Sequence, residues 1–392
     1  MSIRLYRDTP VSLGRRLGPR RSPWRKRFSL AGVVAGLAGA FALAGPPISD
    51  APSKLLATGI RPAQAAAPHY HADCSARPTQ LQQELSGIAE SFSGKVGIAV
   101  AKAGCDWTVG ARLNDFFPQQ SVSKLWVSLT VLDAVDQGSL RLDQPLTIRP
   151  EDLTLFNQPL RWQVLEQGSV TLPVHDLMQN ALSLSDNTAN DRLLWTAGGP
   201  DRVRAMMADK GISGIRFGPG ERLLQSAISG LRWDPSYSLG SNFEQARARL
   251  PKADRVASLD RYVADPMDGA QPAGMARALA RLAAGELLSP QSTAVIMDIL
   301  SRTHSGPRRL KGGLVPGWKI FHKTGTGQEL AGTATGYNDV AIVQAPDGTF
   351  YAVAVMIGQT RQPIPERMKM MHEVMAALSR FHASTEMKVA SR

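Results

Sequence analysis

The sequence predicts an α/β (α+β) fold in which one sheet is assembled from both ends of the chain around an inserted helical unit. Three observations predict it: two strand patterns from residue 95, three more from residue 318, and a long middle of helical periodicity between them. At 392 residues, 43% hydrophobic and 20% charged, the chain is long enough for a sizeable core and too apolar for wholesale disorder. With 2 cysteines, it is not a disulfide-built mini-protein.

Taken in order, residues 78–91 (PTQLQQELSGIAES) read as a helix. Lys95–Ala103 and Trp107–Leu113 then read as strands around an Ala-Gly-Cys turn. Between Ser121 and Gln137, Leu125, Leu129, Leu132 and Val135 recur every three or four residues, the pattern of a buried helix, and Gly138 stops it. Helical patterns, Val174–Leu182 and a stretch from Thr188 among them, continue to about residue 300. Gly198-Gly199-Pro200 and Gly218-Pro219-Gly220 interrupt them as loop signals. Trp318–Thr324, Asn338–Gln344 and Phe350–Ile357 are strand patterns, the last two joined by an Ala-Pro-Asp-Gly hairpin turn. A helix from about Ile364 to Phe381 closes the fold. No internal repeat is present and the seven histidines show no metal-ligand spacing; His69 and His71 read as a solvated tail.

The net charge of +12 is unevenly placed. Residues 1–65 carry 11 basic and 2 acidic side chains, or +9, leaving +3 on everything after them. A near-neutral body without a base-stacking motif excludes nucleic acid as a partner. Phe28–Leu43 holds no charge, so a basic segment, an apolar segment and Ala63-Gln64-Ala65 read as a bacterial export signal over 1–65. The body is then expected in the periplasm or outside the cell, off the membrane once the leader is cleaved. The apolar run is shorter than the about 20 residues of a spanning helix; the long gap from Leu43 to Ala65 leaves an uncleaved anchor as the alternative. Arg25-Lys26-Arg27-Phe28 is either a loose twin-arginine signal or plain leader charge. Export would allow one bridge between Cys74 and Cys105, the alternative being two thiols.

Three motifs appear once each and in order: Ser121-Val122-Ser123-Lys124, Ser185-Asp186-Asn187 and Lys323-Thr324-Gly325. A single S-x-x-K is expected by chance about once in such a chain; the ordered set is not. Ser121 opens an apolar helix, at the positive end of its dipole, and Lys124 lies one turn on, on the same face. A serine hydroxyl becomes a nucleophile when a neighbour takes its proton, and a desolvated lysine near other cations is lowered enough to do so. Ser185-Asp186-Asn187 falls in a loop between two helices. Lys323-Thr324-Gly325-Thr326-Gly327 ends a strand, where the glycines let a substrate lie along the strand edge.

On these motifs the chain resembles the class A β-lactamases and the wider penicillin-recognising serine hydrolases over roughly residues 78–382. Flanking text agrees: Ser185-Asp186-Asn187-Thr188-Ala189, Gly198-Gly199-Pro200, Leu288-Ser289, Gly317-Trp318 and Asn338-Asp339-Val340-Ala341. The resemblance implies a five-stranded antiparallel sheet with flanking helices (66–120 and 272–385), an all-helical subdomain (121–271) and a tail (386–392). It implies Ser121 as the acylated nucleophile, Lys124 as its base partner and Ser185 as the proton relay to the lactam nitrogen. Asn187 would hold the substrate's side-chain amide. Lys323 would supply positive potential for the substrate carboxylate, with Thr324 and Thr326 as hydroxyl partners beside Gly325. The backbone N–H groups of Ser121 and Thr326 would form the oxyanion hole, and Asp186 would be structural. The family's water-activating Glu-x-x-Leu-Asn matches Glu221-Arg222-Leu223-Leu224-Gln225, with Gln225 in place of asparagine. The implied substrate is a small-molecule β-lactam or a peptidoglycan-stem-like peptide, turned over by a monomer with no metal and no cofactor.

The chain departs from that pattern in three further places. Residues 226–271, with Trp233, Tyr237, Phe243 and Tyr262, are longer than the family needs, and read either as a wall of the site or as a satellite core. His322 precedes Lys323 and either tunes it or sits under the strand. Between Gln328 and Ala341 no arginine is available for the carboxylate; Arg361 is a substitute or a plain surface arginine. The resemblance therefore also admits a D-alanyl-D-alanine peptidase or esterase-like hydrolase, or a non-hydrolytic penicillin-binding sensor.

Overall fold

Among the described residues, an early and a late segment meet in one sheet. The computed structural model describes Cys74 and residues 78 to 390; the leader expected over 1–65 and the tail histidines lie outside the described residues. Numbering the strands of the main sheet in chain order, β1 is Gly94–Lys102, β2 Thr108–Ala111, β3 Lys319–Thr326, β4 Glu329–Leu330, β5 Thr333–Gln344 and β6 Phe350–Thr360. Their order is β2-β1-β6-β5-β3, antiparallel throughout, and the two-residue β4 pairs with β5. Five of the strands are those expected; β4 is a sixth the sequence reading did not anticipate. β5 also begins at Thr333 rather than Asn338, because Ala334 and Thr335 pair with Thr360 and Gln359 of an equally extended β6.

Period-two alternation sorts the strand residues onto two faces. Ile98, Val100, Val353, Val355 and Ile357 pack with Leu81, Leu85, Met371, Val374 and Leu378, which belong to α1 (Thr79–Ser91) and α12 (Ile364–Ala390). The opposite face carries small residues, Ala99, Ala101, Ala352 and Ala354, and joins the core of the helical body. Small against small lets α10 (Pro272–Ala283), itself rich in alanine, lie directly on the sheet.

Between the sheet halves run α2 (Lys124–Asp136), α3 (Arg161–Gln167), α4 (Val174–Ser183), α5 (Asn187–Thr196), α6 (Gly199–Asp209), α7 (Glu221–Ile228), α8 (Asn242–Arg249), α9 (Lys252–Ala264), α10 and α11 (Pro290–Ser301). Every residue of α2 from Lys124 to Ala134 is buried, as expected of a helix enclosed on all sides; α4, α5, α6 and α11 surround it. Among the described residues no helix is long and apolar enough to cross a membrane. Cys74 and Cys105 are bridged, so residue 74 is fixed to the turn between β1 and β2. The extra segment 226–271 is folded: Leu259, Tyr262 and Val263 of α9 close a small core with Leu224 and Ile228 of α7.

Candidate active site

The sequence places Ser121 at a helix start, and the structure refines this: Ser121 lies in a one-turn 3-10 segment, Gln120–Ser123, and α2 begins at Lys124. The tight turn brings Lys124 Nζ to 2.8 Å from Ser121 Oγ. The same ammonium donates to Glu221 Oε1, and both side chains are shut away from water. Gln120 is held at φ +54°, a conformation costing a non-glycine residue roughly 1–3 kcal/mol. Its surroundings over-determine it: its N–H donates to Asp268 Oδ2 at 2.8 Å and its amide to the Tyr262 hydroxyl at 2.7 Å, which in turn donates to Asp268 Oδ1 at 2.9 Å. Burial pushes the Asp268 carboxyl up to about 6, and burial beside Asp268 drives the Tyr262 phenol well above its ordinary range. The segment 226–271 is thus the satellite core of its two expected readings, and through Tyr262 it also supports the serine turn, a role the sequence did not suggest.

Glu221 is the first residue of α7, entered through Gly220 at φ +98°. Its N–H, one of the donors a helix start leaves unsatisfied, donates to Asp191 Oδ1 at 2.9 Å. Asp191 is pushed up to about 6, first by burial and then by the Glu221 charge. Gln225, one turn on, is fully engaged. Its amide N–H donates to Gln120 Oε1 at 3.0 Å and to Glu221 Oε2 at 3.4 Å, and its carbonyl oxygen accepts from Gln328 at 3.2 Å.

The other wall holds Lys323, whose Nζ donates to Ser185 Oγ and to the Thr324 carbonyl, each at 2.9 Å. Burial, then the charge of Lys124, depresses its pKa well below the usual lysine range, against the attraction of Glu221. Ser185 is another non-glycine residue at positive φ, +59°. Asp186 is structural, as expected: it caps α5 by accepting from the Thr188 and Ala189 N–H groups at 2.8 and 2.9 Å. Asn187 donates to the Leu155 carbonyl at 2.8 Å, while its buried Oδ1 makes no hydrogen bond among the described residues. Thr324 Oγ1 bonds Ser305 Oγ at 2.7 Å. At Gly325 a Cβ would stand 2.3 Å from the Gln119 carbonyl oxygen, so only glycine lets β3 lie this close to the serine turn.

One cation of this wall was missed. Arg309 is buried, donates at 2.6 Å to Thr326 Oγ1 and at 3.0 and 2.8 Å to the Gly325 and Asn338 carbonyls, and lies over the Tyr337 ring. The family pattern points to an arginine between Gln328 and Ala341, after the Lys-Thr-Gly motif, whereas Arg309 precedes β3. Arg361 is an exposed arginine bonded to Thr333, as its surface reading had it. His322 sits under the strand with Nδ1 3.0 Å from Asp339. Hydrogen bonds link Ser121, Lys124, Glu221 and Gln225 in one set. At the end of β3 they link Ser185, Lys323 and Thr324 and, through Arg309, Gly325 and Thr326. Asn187 bonds the Leu155 carbonyl instead.

The arrangement joins a hydroxyl to a buried amine and a carboxylate on one side, and on the other places the buried ammonium of Lys323 at a strand end, bonded to a hydroxyl and a carbonyl. Comparison with known proteins identifies the family. The profile of the beta-lactamase enzyme family matches residues 80–381. The chain is 29% identical over 287 residues to the extended-spectrum beta-lactamase PER-1 of Pseudomonas aeruginosa, covering 73% of this chain and 82% of that one. It is 25% identical over 292 residues to beta-lactamase VEB-1 of the same organism, covering 74% and 85%. Among solved structures, a beta-lactamase from Chitinophaga pinensis superposes with a TM-score of 0.62 at 25% identity, over 78% of this chain and 99% of that one. The fold of the TLA-1 extended-spectrum beta-lactamase superposes with a TM-score of 0.63 at 22% identity, over 77% and 98%.

Proposed function

The chain belongs to the beta-lactamase enzyme family and is a β-lactamase-like serine hydrolase, and from that premise we propose that it is a class A-like enzyme hydrolysing β-lactams through an acylated Ser121. The observation that carries this reading is the position of Lys124 Nζ between Ser121 Oγ and Glu221. The pair holds a mobile proton. When it rests on the carboxylate, the amine faces the serine and takes its proton as Oγ attacks the lactam carbonyl. The backbone N–H groups of Ser121 and Thr326 serve as the oxyanion donors, a pair of the kind worth about 3–4 kcal/mol of barrier. Ser185, bonded to Lys323, passes a proton to the lactam nitrogen as the ring opens. Lys323, Arg309, Thr324 and Thr326 receive the substrate carboxylate, and the orphaned Asn187 Oδ1 accepts from its side-chain amide. Once the shared proton has returned from Glu221 to Lys124, Glu221 is a carboxylate again and draws a proton from the water that releases the acyl group. The expected setting is the periplasm or the extracellular medium, where the Cys74–Cys105 bridge persists.

Mixing the mature protein with a chromogenic cephalosporin, while following colour and intact mass, tests this. Sustained turnover is expected; Ser121→Ala acylating or turning over like the parent would sink it. A second reading rests on Gln225. Its amide is consumed by Gln120, Glu221 and Gln328, so less of it is left to orient a water than the asparagine it replaces would offer. A stoichiometric mass gain without turnover would identify an acylate-and-stop relative, a sensor or a peptidase.

A further inference from the structure

A separate cluster lies where β5 turns into β6. Asp347 sits in the hairpin turn, His382 and Glu386 lie one turn apart on α12, and one donor atom from each falls within 4.8 Å of the others. His382 is 5% exposed, wedged edge-on against Trp318 with ring centroids 5.2 Å apart. Its Nδ1 lies 3.2 Å from the Tyr351 hydroxyl. Its buried Nε2 makes no hydrogen bond among the described residues, yet points between two carboxylates, 3.4 Å from Glu386 Oε1 and 3.7 Å from Asp347 Oδ1. A buried ring nitrogen left without a hydrogen bond calls for a partner.

We propose that Asp347, His382 and Glu386 bind a divalent cation of the zinc type. With the Nδ1 proton donated to the Tyr351 oxygen, the Nε2 lone pair faces the ion, and the phenol fixes the ring as an outer partner of a metal-bound histidine usually does. One imidazole nitrogen and two carboxylate oxygens are a borderline donor set that suits zinc over magnesium. Donors on a tetrahedral ion at about 2.1 Å stand about 3.4 Å apart. The carboxylates are 37% and 53% exposed, so both are free to close that small gap, and water takes the fourth position. Thr349 already holds Asp347 through its N–H and hydroxyl, each at 2.8 Å. The site is remote from the chemistry. From Tyr337, opposite Thr326, to Gln344, opposite Lys319, the strand runs about 23 Å. Its effect is to clamp the last described turns of α12 to the hairpin. Sequence spacing could not reveal it, because the third donor comes from a turn far from the helical pair.

The test is titration of metal-free mature protein with zinc chloride, by calorimetry and by thermal unfolding. One zinc per chain and a rise in Tm of several degrees are expected, with no rise for magnesium chloride. Asp347→Asn and Glu386→Gln, both at exposed positions, should keep the metal-free Tm and each weaken zinc at least tenfold. His382→Gln tests the nitrogen donor but also disturbs the packing on Trp318, so the carboxylate variants decide. No stoichiometric zinc binding, zinc affinity unchanged in both variants, or an equal Tm rise with magnesium would overturn the proposal.

Discussion

The two walls of the candidate site each bury a lysine and treat it in opposite ways. Lys124 meets the carboxylate of Glu221 as well as the serine oxygen. Lys323 meets a hydroxyl and a carbonyl, with no carboxylate within ion-pair distance among the described residues, and Arg309 is buried beside it at the same strand end. A buried cation without a counter-charge is costly, and its pKa falls, as that of Lys323 does. The first wall is therefore electrically complete, and in the proposed reaction it works by moving a proton. On the second, Lys323 lacks a counter-charge until an anion arrives, and in the proposed reaction that anion is a substrate carboxylate.

Removing the counter-charge from the complete wall should have the largest effect. Glu221→Ala leaves Lys124 buried and unpaired, a change that costs about 3–5 kcal/mol of stability, and urea unfolding reads it. Loss of the water-activating base should slow deacylation by about 10²–10⁴, so that acyl-enzyme accumulates in the intact mass. Turnover that survives unchanged would remove Glu221 from the mechanism.

On the second wall, Arg309→Lys keeps the charge and loses the planar fork that reaches Thr326 and two carbonyls at once. Steady-state kinetics should show KM raised roughly tenfold with a smaller change in kcat, since hydrogen bonds to charged groups are worth about 1.5–3 kcal/mol. The same wall sets a pH limit. The depressed pKa of Lys323 means that its charge is lost at a pH below the ordinary lysine value of 10.5, so KM for carboxylate-bearing substrates should begin to climb there. Affinity flat to the ordinary lysine value would contradict an uncompensated Lys323. For stability the sign is reversed: between the lowered folded value and the unfolded one, the unfolded chain binds more protons, so this group makes the protein more stable as pH rises through that window.

The smallest expected effect sharpens the support beneath the complete wall. Asp268 is raised from 3.8 to about 6 by burial, so its contribution to stability is fully present below about 3.8 and is lost as pH rises to about 6. Asp268→Asn should flatten the dependence of urea unfolding on pH in that interval. An unchanged profile would show that Asp268 is not held protonated by its burial.

What the sequence disclosed follows the same division between local and distant. Ser121 and Lys124, Ser185 and Asn187, and Lys323 to Thr326 are close in the chain, so fixed spacing on a helix start, a loop or a strand end exposed them. The five main strands were legible for a similar reason, through alternation. Arg309 escaped because its value depends on lying under Gly325 and Asn338, which no short pattern encodes. Gln120, Tyr262 and Asp268 escaped likewise. Their bonds run 142 and 148 residues along the chain, and only the folded segment 226–271 brings them together.

The ladder that sets Gly94 opposite Thr360 has a consequence for how the protein comes into being. Loop closure over about two thirds of the chain must be met before β1 gains β6 beside it, so high contact order makes this a slow step. A ribosome delivers β1 and β2 early and β6 almost last, and in the interval β1, paired only with β2, waits with its other edge open, an edge of the kind that aggregates. The helical middle can collect its own core meanwhile. A chain truncated before Phe350 should accumulate as insoluble material rather than as a weakened enzyme.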